Sequence, residues 1–325
     1  MAFSYHRGLG IKISLVGLVL GIMSVYSGSS LSAAVPQLEC QNVPSEWIFC
    51  NDFDTNISTI EQQRAKWDDY DGATDVNFIQ DVWPSQTTGN RVAQFRVASG
   101  QRGNADLVKV LSTPKDKLYA RWYIQYETGF NFSAPNHGGG LIGGDRNYIG
   151  VSWNKPNGTD WFSAWVDYTN TTPYYGTYHF YSYYPWMYQD CSSQGSCFGD
   201  SFPCIYDTGS LYCTNALHRP TVTLPVLQTG QWYCVEMMLD AGTTWPTGSE
   251  QLWLNGQSLG QWNNLFMRSN TSLKIENLWL NLFHHDGTHS TAWVLYDNVV
   301  VSTARIGCAS SSTDTTPPVV TLAGA

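Results

Sequence analysis

The sequence has few charged residues, and basic residues are the scarcest of them. Charged side chains make up 13% of the 325 residues, and 17 Lys and Arg stand against 26 Asp and Glu, for a formal net charge of −9 at pH 7. Proteins that bind the phosphate backbone of nucleic acids carry clusters of lysine and arginine. We therefore expect no nucleic-acid partner.

Beyond its first 34 residues, the chain lacks an apolar run of the roughly 20 residues that a membrane-spanning helix needs. Within those 34 residues, Lys12 precedes an apolar run over 13–25, and small residues lead to Ala34. This order is typical of a secretory signal peptide. We predict a signal peptide at 1–34 that is cleaved after Ala34, a secreted protein, and no membrane partner.

Eight cysteines follow this leader, and an even number in an exported chain predicts disulfide bonds. They are Cys40, Cys50, Cys191, Cys197, Cys204, Cys213, Cys234 and Cys308. The four between positions 191 and 213 lie in a Gly/Ser-rich stretch, where we expect two bridges. Cys40 with Cys50 and Cys234 with Cys308 are compatible remaining pairs, but sequence alone leaves the connectivity open. The alternative, a zinc site, lacks the paired Cys spacing and nearby His that structural zinc prefers.

Helical periodicity is nearly absent, whereas 29 glycines and 14% aromatic residues favour strands and turns. From Leu118 onward, short alternating runs are separated by Gly, Pro, Asn and Asp, which is typical of an antiparallel sandwich or jelly roll. Strands are predicted at 118–126, 161–168, 179–184, 232–239, 250–254, 273–284 and 292–301. Asn255-Gly256 predicts a type I′ hairpin turn after 252–254.

One β-jelly-roll domain is therefore predicted at 35–308. The segment after it is rich in small and polar residues and contains Pro, which indicates a linker. Within the last part, 309–325, residues 315–322 (TTPPVVTL) resemble the opening strand of bacterial immunoglobulin-like repeats. We expect the natural polypeptide to continue past Ala325.

Several short sequence segments together resemble a known group of proteins. They are LYARWYIQY at 118–126, HGGGLIGG at 137–144, FYSYYP at 180–185, GQWYCVE at 230–236, LWLNG at 252–256 and YDNVVV at 296–301. In these segments the chain is similar to secreted, concanavalin A-like jelly-roll proteins that act on carbohydrates. It is most similar to the alginate and glucuronan lyases of polysaccharide lyase families 14 and 20. The resemblance implies an all-β antiparallel β-sandwich and β-elimination of a uronic-acid polysaccharide.

The alginate-lyase branch has two tyrosines, two residues apart, on the strand that ends in Pro. Tyr181 and Tyr183 stand at those places here, so the resemblance implies that they are catalytic. The same branch has a lysine just before the Leu of its Gly-rich segment and a Ser-x-Arg pair ahead of a strand Trp. This chain departs from both patterns, because Gly140, Tyr148 and Gly150 stand at those positions.

Cleavage of a uronic-acid polymer by β-elimination needs a base for the C5 proton, an acid for the leaving oxygen, and donors that stabilise charge on the carboxylate. Tyr181 or Tyr183 would serve as base and acid if a cation lowered the phenol pKa from about 10. Arg121 is the candidate cation, and Gln125 and His137 are candidate donors to the substrate carboxylate.

Further candidate substrate-binding residues are His179, Arg146, Lys155, Trp165 and Tyr123. Polar candidates from 118–126 and from 179–184 fall on the predicted open faces of these two strands, because strand side chains alternate. Arg146 and Lys155 lie in predicted loops, where they would steer an anionic chain or simply be solvated. The alternative is that the polar side chains only coat a solvated sheet face.

Histidines near position 284 have metal-binding chemistry, because imidazole and carboxylate are common ligands. They are His284, His285 and His289, and Asp286 lies between them. Neighbouring residues of a strand point to opposite faces, so at most one of the adjacent pair would join Asp286 or His289. We expect a strand-end turn here, no catalytic metal and no required cofactor, while a structural calcium ion is compatible with the chain.

Two other functions remain as alternatives to a lyase with an acidic polysaccharide as its partner. A non-catalytic glycan-binding module would use Trp122, Trp161, Trp165 or Trp186 to stack on sugar faces. A jelly-roll glycoside hydrolase would need two carboxyl groups facing one bond, and the seven Glu of the chain do not fall in the required spacing. For each of these functions we expect a monomer.

Overall fold

The computed structural model describes most of the chain between Ser32 and Ala309. The described ranges are 32–33, 35–36, 38–55, 59–71, 76–80, 91–103, 105–133, 136–151, 154–170, 174–187, 198–204, 222–284 and 290–309. The predictions made for the leader up to residue 31, for the tail from 310, for Cys191, Cys197 and Cys213, and for 285–289 lie outside the described residues.

Strands dominate the described residues, and helices are few and short. The strands are β1 (Trp47–Asn51), β2 (Asp69–Asp71), β3 (Val76–Gln80), β4 (Arg91–Val97), β5 (Ala105–Lys115), β6 (Lys117–Tyr126), β7 (Asn136–Gly144), β8 (Trp161–Tyr168), β9 (Tyr178–Tyr183), β10 (Asp200–Phe202), β11 (Trp232–Asp240), β12 (Gly248–Leu254), β13 (Gln257–Leu265), β14 (Ile275–His284) and β15 (Ala292–Ser302). One α-helix, α1 (Ile60–Arg64), and two 3-10 helices, Glu39–Gln41 and Arg146–Tyr148, complete this part of the chain. In it, no helix has both the length and the hydropathy of a membrane span.

The strands form two antiparallel sheets. Within the described residues, sheet A has the order β13-β12-β11-β6-β15-β4-β3, and β1 also pairs with β15. Sheet B has the order β10-β9-β8-β7-β14-β5-β2. The sheets form a sandwich, so the prediction of an all-β jelly roll is confirmed.

Alternate residues of the strands fill the space between the sheets. On β6, Trp122 packs towards Gly139 of sheet B, and on β9, Phe180 contacts Trp262 of sheet A with ring centroids 5.8 Å apart. Full burial of one large apolar side chain contributes about 1.5–3 kcal/mol to stability. Because Trp122 and Phe180 both point to the opposite sheet, the alternation predicted for these strands assigns their inner faces correctly.

Polar groups inside the sandwich bond from one sheet to the other. The phenol oxygens of Tyr126 and Tyr178 are 2.7 Å apart, and the hydroxyl of Tyr296 donates to the carbonyl oxygens of Gly138 and Asn281 at 3.2 and 3.0 Å. Buried polar groups are costly unless they are paired. These bonds hold the two sheets at a fixed distance in the region of β7.

The predicted hairpin is confirmed between β12 and β13. Asn255 and Gly256 have φ angles of 51° and 79°, the positive values that both central residues of a type I′ turn require. A side-chain oxygen of Asn255 also accepts the backbone N–H of Cys234 at 2.9 Å, which ties this turn to β11.

Both ends of the described chain cover the outer face of sheet A. Disulfides join Cys40 to Cys50 and Cys234 to Cys308, as the sequence had suggested, and Cys204 is also disulfide-bonded. A small apolar cluster on this face includes Tyr123 and Trp232 of the sheet, with Val35 packed against it. The face of β6 that the sequence predicts to be open is therefore covered.

Candidate active site

The outer face of β9 carries the two tyrosines that the sequence singles out. Tyr181 and Tyr183 alternate with Phe180 and Ser182, whose side chains contact residues of sheet A. The two phenol oxygens are 3.0 Å apart and share a hydrogen bond. Tyr183 is fully buried and Tyr181 is partly exposed, so Tyr181 is the tyrosine that a ligand can reach.

The environment of Tyr181 favours its protonated form. Burial raises the pKa of this phenol well above its ordinary value of 10.0, and the neighbouring Tyr183 raises it further. The backbone N–H of Gly199 also bonds the phenol oxygen, which acts in the opposite direction by stabilising the phenolate. At neutral pH the phenol is therefore protonated, which is the state that a proton donor needs.

A histidine and an aspartate lie beside Tyr181. The Nδ1 atom of His137 on β7 is 2.8 Å from a carboxylate oxygen of Asp167 on β8, and both side chains are buried. The imidazole stacks on the rings of Tyr181 and Phe283, with centroids 5.4 and 5.7 Å away. A carboxylate can only accept, so Asp167 orients the imidazole with Nδ1–H towards it and leaves Nε2 as the other ring nitrogen.

His179 lies next to Asp167 in the register of β8 and β9 and is also buried. Burial lowers the pKa of this imidazole to about 4, and the nearby His137 acts in the same direction, while Asp167 opposes both. His179 is therefore neutral at physiological pH. It adds no positive charge that would hold a substrate carboxylate.

Two tryptophans meet over a glycine at the centre of sheet B. Gly140 on β7 pairs with Trp165 on β8 and with Trp279 on β14, and the two indole rings contact each other with centroids 5.1 Å apart. A Cβ atom on Gly140 would lie 2.1 Å from the carbonyl oxygen of Ala164. The backbone therefore leaves no room here for the lysine that the resembled branch carries.

The predicted cation and two other predicted site residues do not join this site. Arg121, Gln125 and Tyr123 lie on β6 in sheet A, whereas Tyr181 is on β9 in sheet B. Arg121 is fully buried and forms an ion pair with Glu39, with 2.6 Å between Nη2 and Oε2. The prediction that Arg121, Gln125 and Tyr123 lie beside the tyrosines is wrong, because strand alternation is a local pattern and does not show which sheet a strand joins.

The two predicted loop cations lie at different places. Arg146, in a 3-10 helix after β7, pairs with Asp69 at 2.5 Å and lines a cavity of about 270 Å³ that Asp106 also lines. Lys155 donates from Nζ to the carbonyl oxygen of Met187 at 2.9 Å, close to the end of β9.

Of the four tryptophans considered for sugar stacking, three are packed in the protein interior. Trp122, Trp161 and Trp165 expose at most 2% of their surface, whereas Trp186 exposes 61%. The face around Tyr181 is thus a buried aromatic cluster and not the solvated sheet face of the alternative interpretation.

Several residues of this site were not predicted from the sequence. Asp167, Trp279, Phe283 and Gly199 were not named as candidates, although Asp167 shares its predicted strand face with Trp165. That shared face was the available signal for Asp167. Among the described residues, no group of three or more His, Cys, Asp or Glu side chains is placed to hold a metal ion.

The chain shares its jelly-roll fold with polysaccharide lyases of known structure. It is similar to an alginate lyase of polysaccharide lyase family 14 from Aplysia kurodai, with a TM-score of 0.57, 13% identity, and coverage of 79% of this chain and 99% of that one. The alginate lyase Aly36B gives a TM-score of 0.55, 13% identity, and coverage of 79% and 97%. An endo-β-1,4-glucuronan lyase from Trichoderma reesei gives 0.50, 13% identity, and coverage of 79% and 96%. No protein-family model matches this sequence, and no curated protein does.

Proposed function

We propose that this protein is a polysaccharide lyase that cleaves a uronic-acid polymer of the alginate or glucuronan type by β-elimination. The observation that carries the proposal is the contact between His137 and Tyr181, a base held by Asp167 and a protonated phenol whose rings stack 5.4 Å apart. The lyases that share the fold are described as acting on alginate and glucuronan, which supports the substrate class.

In the proposed reaction, Nε2 of His137 removes the C5 proton of the uronic acid. The electron pair of that C–H bond forms the C4–C5 double bond while the C4–O bond breaks. Tyr181 transfers its phenolic proton to the leaving oxygen, and the N–H of Gly199 stabilises the resulting phenolate. A proton passing from the imidazolium to the phenolate through solvent restores both groups.

This assignment replaces the phenolate base that the sequence suggested. A phenol acts as a base near neutral pH only when a cation lowers its pKa, and Arg121 lies in the other sheet. Asp167 and Tyr183 are positioning residues, because each acts through the group that it holds.

We also propose that the protein is secreted. The disulfides Cys40–Cys50 and Cys234–Cys308 support this, because such bonds persist in oxidising compartments. The predicted signal peptide, domain boundaries and monomeric state remain predictions.

A glycan-binding module without catalysis is the second candidate function. It is favoured by the exposed ring of Trp186, which lies three residues beyond Tyr183. Binding modules present aromatic faces to sugars, whereas a lyase needs in addition the proton-transfer groups described above.

The test is the ultraviolet absorbance of the unsaturated uronate product, measured with alginate, glucuronan, pectate and glycosaminoglycans while reducing ends are assayed in parallel. We expect both signals to rise together on one of the acidic polymers. Tyr181→Phe should lower kcat by about 100- to 10,000-fold, the range for loss of a general acid. Tyr175→Phe is the matched control, because Tyr175 is 40% exposed and lies outside the site.

Two results would contradict the proposal. Reducing ends without unsaturated product would indicate a hydrolase. Full activity of Tyr181→Phe would remove the phenol from the reaction.

A further inference from the structure

An exposed tryptophan stands at the corner of a turn that directly follows β9. Trp186 exposes 61% of its surface, whereas Tyr184 and Met187 on either side of the turn expose 5% and 1%. The N–H of Met187 donates to the carbonyl oxygen of Tyr184 at 3.0 Å, and Pro185 occupies the second position of the turn, where its fixed φ is favourable. The indole is therefore held outward on a turn whose two ends are anchored in the core.

Two side chains from other parts of the chain complete the arrangement. The ring of Phe266, just after β13, lies against the indole with centroids 4.6 Å apart and an interplanar angle of 32°. The ammonium group of Lys155 donates to the carbonyl oxygen of Met187, the residue after Trp186, at 2.9 Å. We call Trp186, Phe266 and Lys155 the Trp186 platform.

The chemistry of this platform fits an anionic sugar. The indole of Trp186 and the ring of Phe266 beside it form a joint aromatic surface, and sugar rings offer flat C–H faces of matching size. Lys155 donates to a neutral carbonyl oxygen, and its positive charge is not paired with a carboxylate among the described residues. A uronic acid would supply both the apolar face and the carboxylate.

The platform is also within reach of the candidate active site along one polymer. Trp186 follows Tyr181 by five residues, and a chain segment of that length spans at most about 18 Å. A short stretch of oligosaccharide covers such a distance, so one sugar could lie on Trp186 while another lies at Tyr181.

We propose that the Trp186 platform binds a uronic-acid residue of the polymer outside the bond that is cleaved, with Trp186 stacking on the ring and Lys155 holding the carboxylate. The proposal rests on the proposed function for the acidic nature of its ligand. It assigns the platform a role in affinity and in the choice of acidic over neutral polymers, and none in the elimination itself.

The test is native affinity electrophoresis in gels that contain alginate, glucuronan or a neutral glucan. All proteins carry Tyr181→Phe so that the polymer stays intact during the run. Trp186→Ala should raise the Kd for the acidic polymer about tenfold, as expected for loss of one aromatic stacking contact. Trp245→Ala is the matched control, since Trp245 is 72% exposed on the loop between β11 and β12 and should leave retention unchanged.

Lys155→Met tests the charge separately from the aromatic ring. It should weaken retention by the acidic polymer at low salt, and its difference from the parent protein should shrink as salt screens the interaction. Retention by the neutral glucan should not respond to this change. Unchanged thermal melting of each variant shows that the fold is intact.

The inference is overturned if Trp186→Ala and Trp245→Ala are retained equally, or if none of the acidic polymers retards the parent protein. Its failure is distinct from failure of the proposed lyase activity. Lost retention of Trp186→Ala together with an absence of unsaturated product from the wild type would support the platform and refute the lyase. Unsaturated product together with unchanged retention of Trp186→Ala would support the lyase and refute the platform.

Discussion

A carboxyl group buried between the two sheets makes the stability of this protein depend on pH. Glu250 on β12 is fully buried, and one of its oxygens accepts from the hydroxyl of Ser182 on β9 at 2.9 Å. The other oxygen has no hydrogen-bond partner among the described residues. Burial raises the pKa of Glu250 from 4.5 to about 8, and the nearby carboxylate of Asp200 also raises it.

The direction of the effect follows from the two pKa values. Between pH 4.5 and about 8 the folded protein keeps a proton that the unfolded chain releases, so the free energy of unfolding falls as pH rises through this window. At about 1.4 kcal/mol for each unit of pKa, the difference between 4.5 and about 8 corresponds to at most about 5 kcal/mol. This contribution is complete below the window and lost above it.

Glu250→Gln should remove this dependence, because the amide is neutral at every pH and still accepts from Ser182. Urea denaturation at fixed pH values between about 4 and 9, with the disulfides intact, measures the free energy of unfolding. We expect the variant to gain stability relative to the wild type as pH rises, by several kcal/mol at the alkaline end. Glu46→Gln, at an exposed carboxyl, controls for the loss of one charge.

Parallel stability curves for the wild type and Glu250→Gln across this window would refute the reasoning. A constant difference between the two proteins would mean that Glu250 has the same pKa in the folded and unfolded states. The buried position would then be open to water in solution.

Three further substitutions test the site and its support. Arg121→Ala leaves the Glu39 carboxylate without its partner and should cost about 3 kcal/mol in urea denaturation, with kcat unchanged; lost turnover at full stability would return Arg121 to the mechanism. Gly140→Ala places a Cβ 2.1 Å from a carbonyl oxygen of β8 and should lower the free energy of unfolding by about 1–3 kcal/mol; unchanged stability would show that the two strands separate freely. Asp167→Asn should lower kcat about 100-fold with little change in KM, because the imidazole of His137 loses the negative charge that the carboxylate holds at Nδ1; a change confined to KM would contradict that role.

Local patterns predicted much of the fold. The alternation in 118–126, 161–168 and 179–184 gave the strands β6, β8 and β9 and their inner faces, because strand periodicity is a property of neighbouring residues. Asn255-Gly256 gave the hairpin for the same reason. The strands before Leu118 were not predicted, since short runs such as Trp47–Asn51 lack a clear alternation of apolar and polar residues.

The candidate site was only partly predictable because sheet membership depends on distant pairings. Tyr181 and His137 lie close together because β7, β8 and β9 are neighbours in sheet B, whereas Arg121 lies on β6 in sheet A. The cover over Arg121 comes from the segment around Glu39, 82 residues earlier in the chain. No periodicity within β6 could reveal that cover.

The ties at the two ends of the described chain have a mechanical consequence. Cys234–Cys308 links β11 to the segment after β15, and the ion pair of Arg121 with Glu39 links β6 to the segment before β1. A pulling force applied at either end is therefore carried by the central strands of sheet A. The strands of sheet B that hold Tyr181 lie outside this load path, so tethering the protein by its ends would leave the geometry around that phenol under no tension.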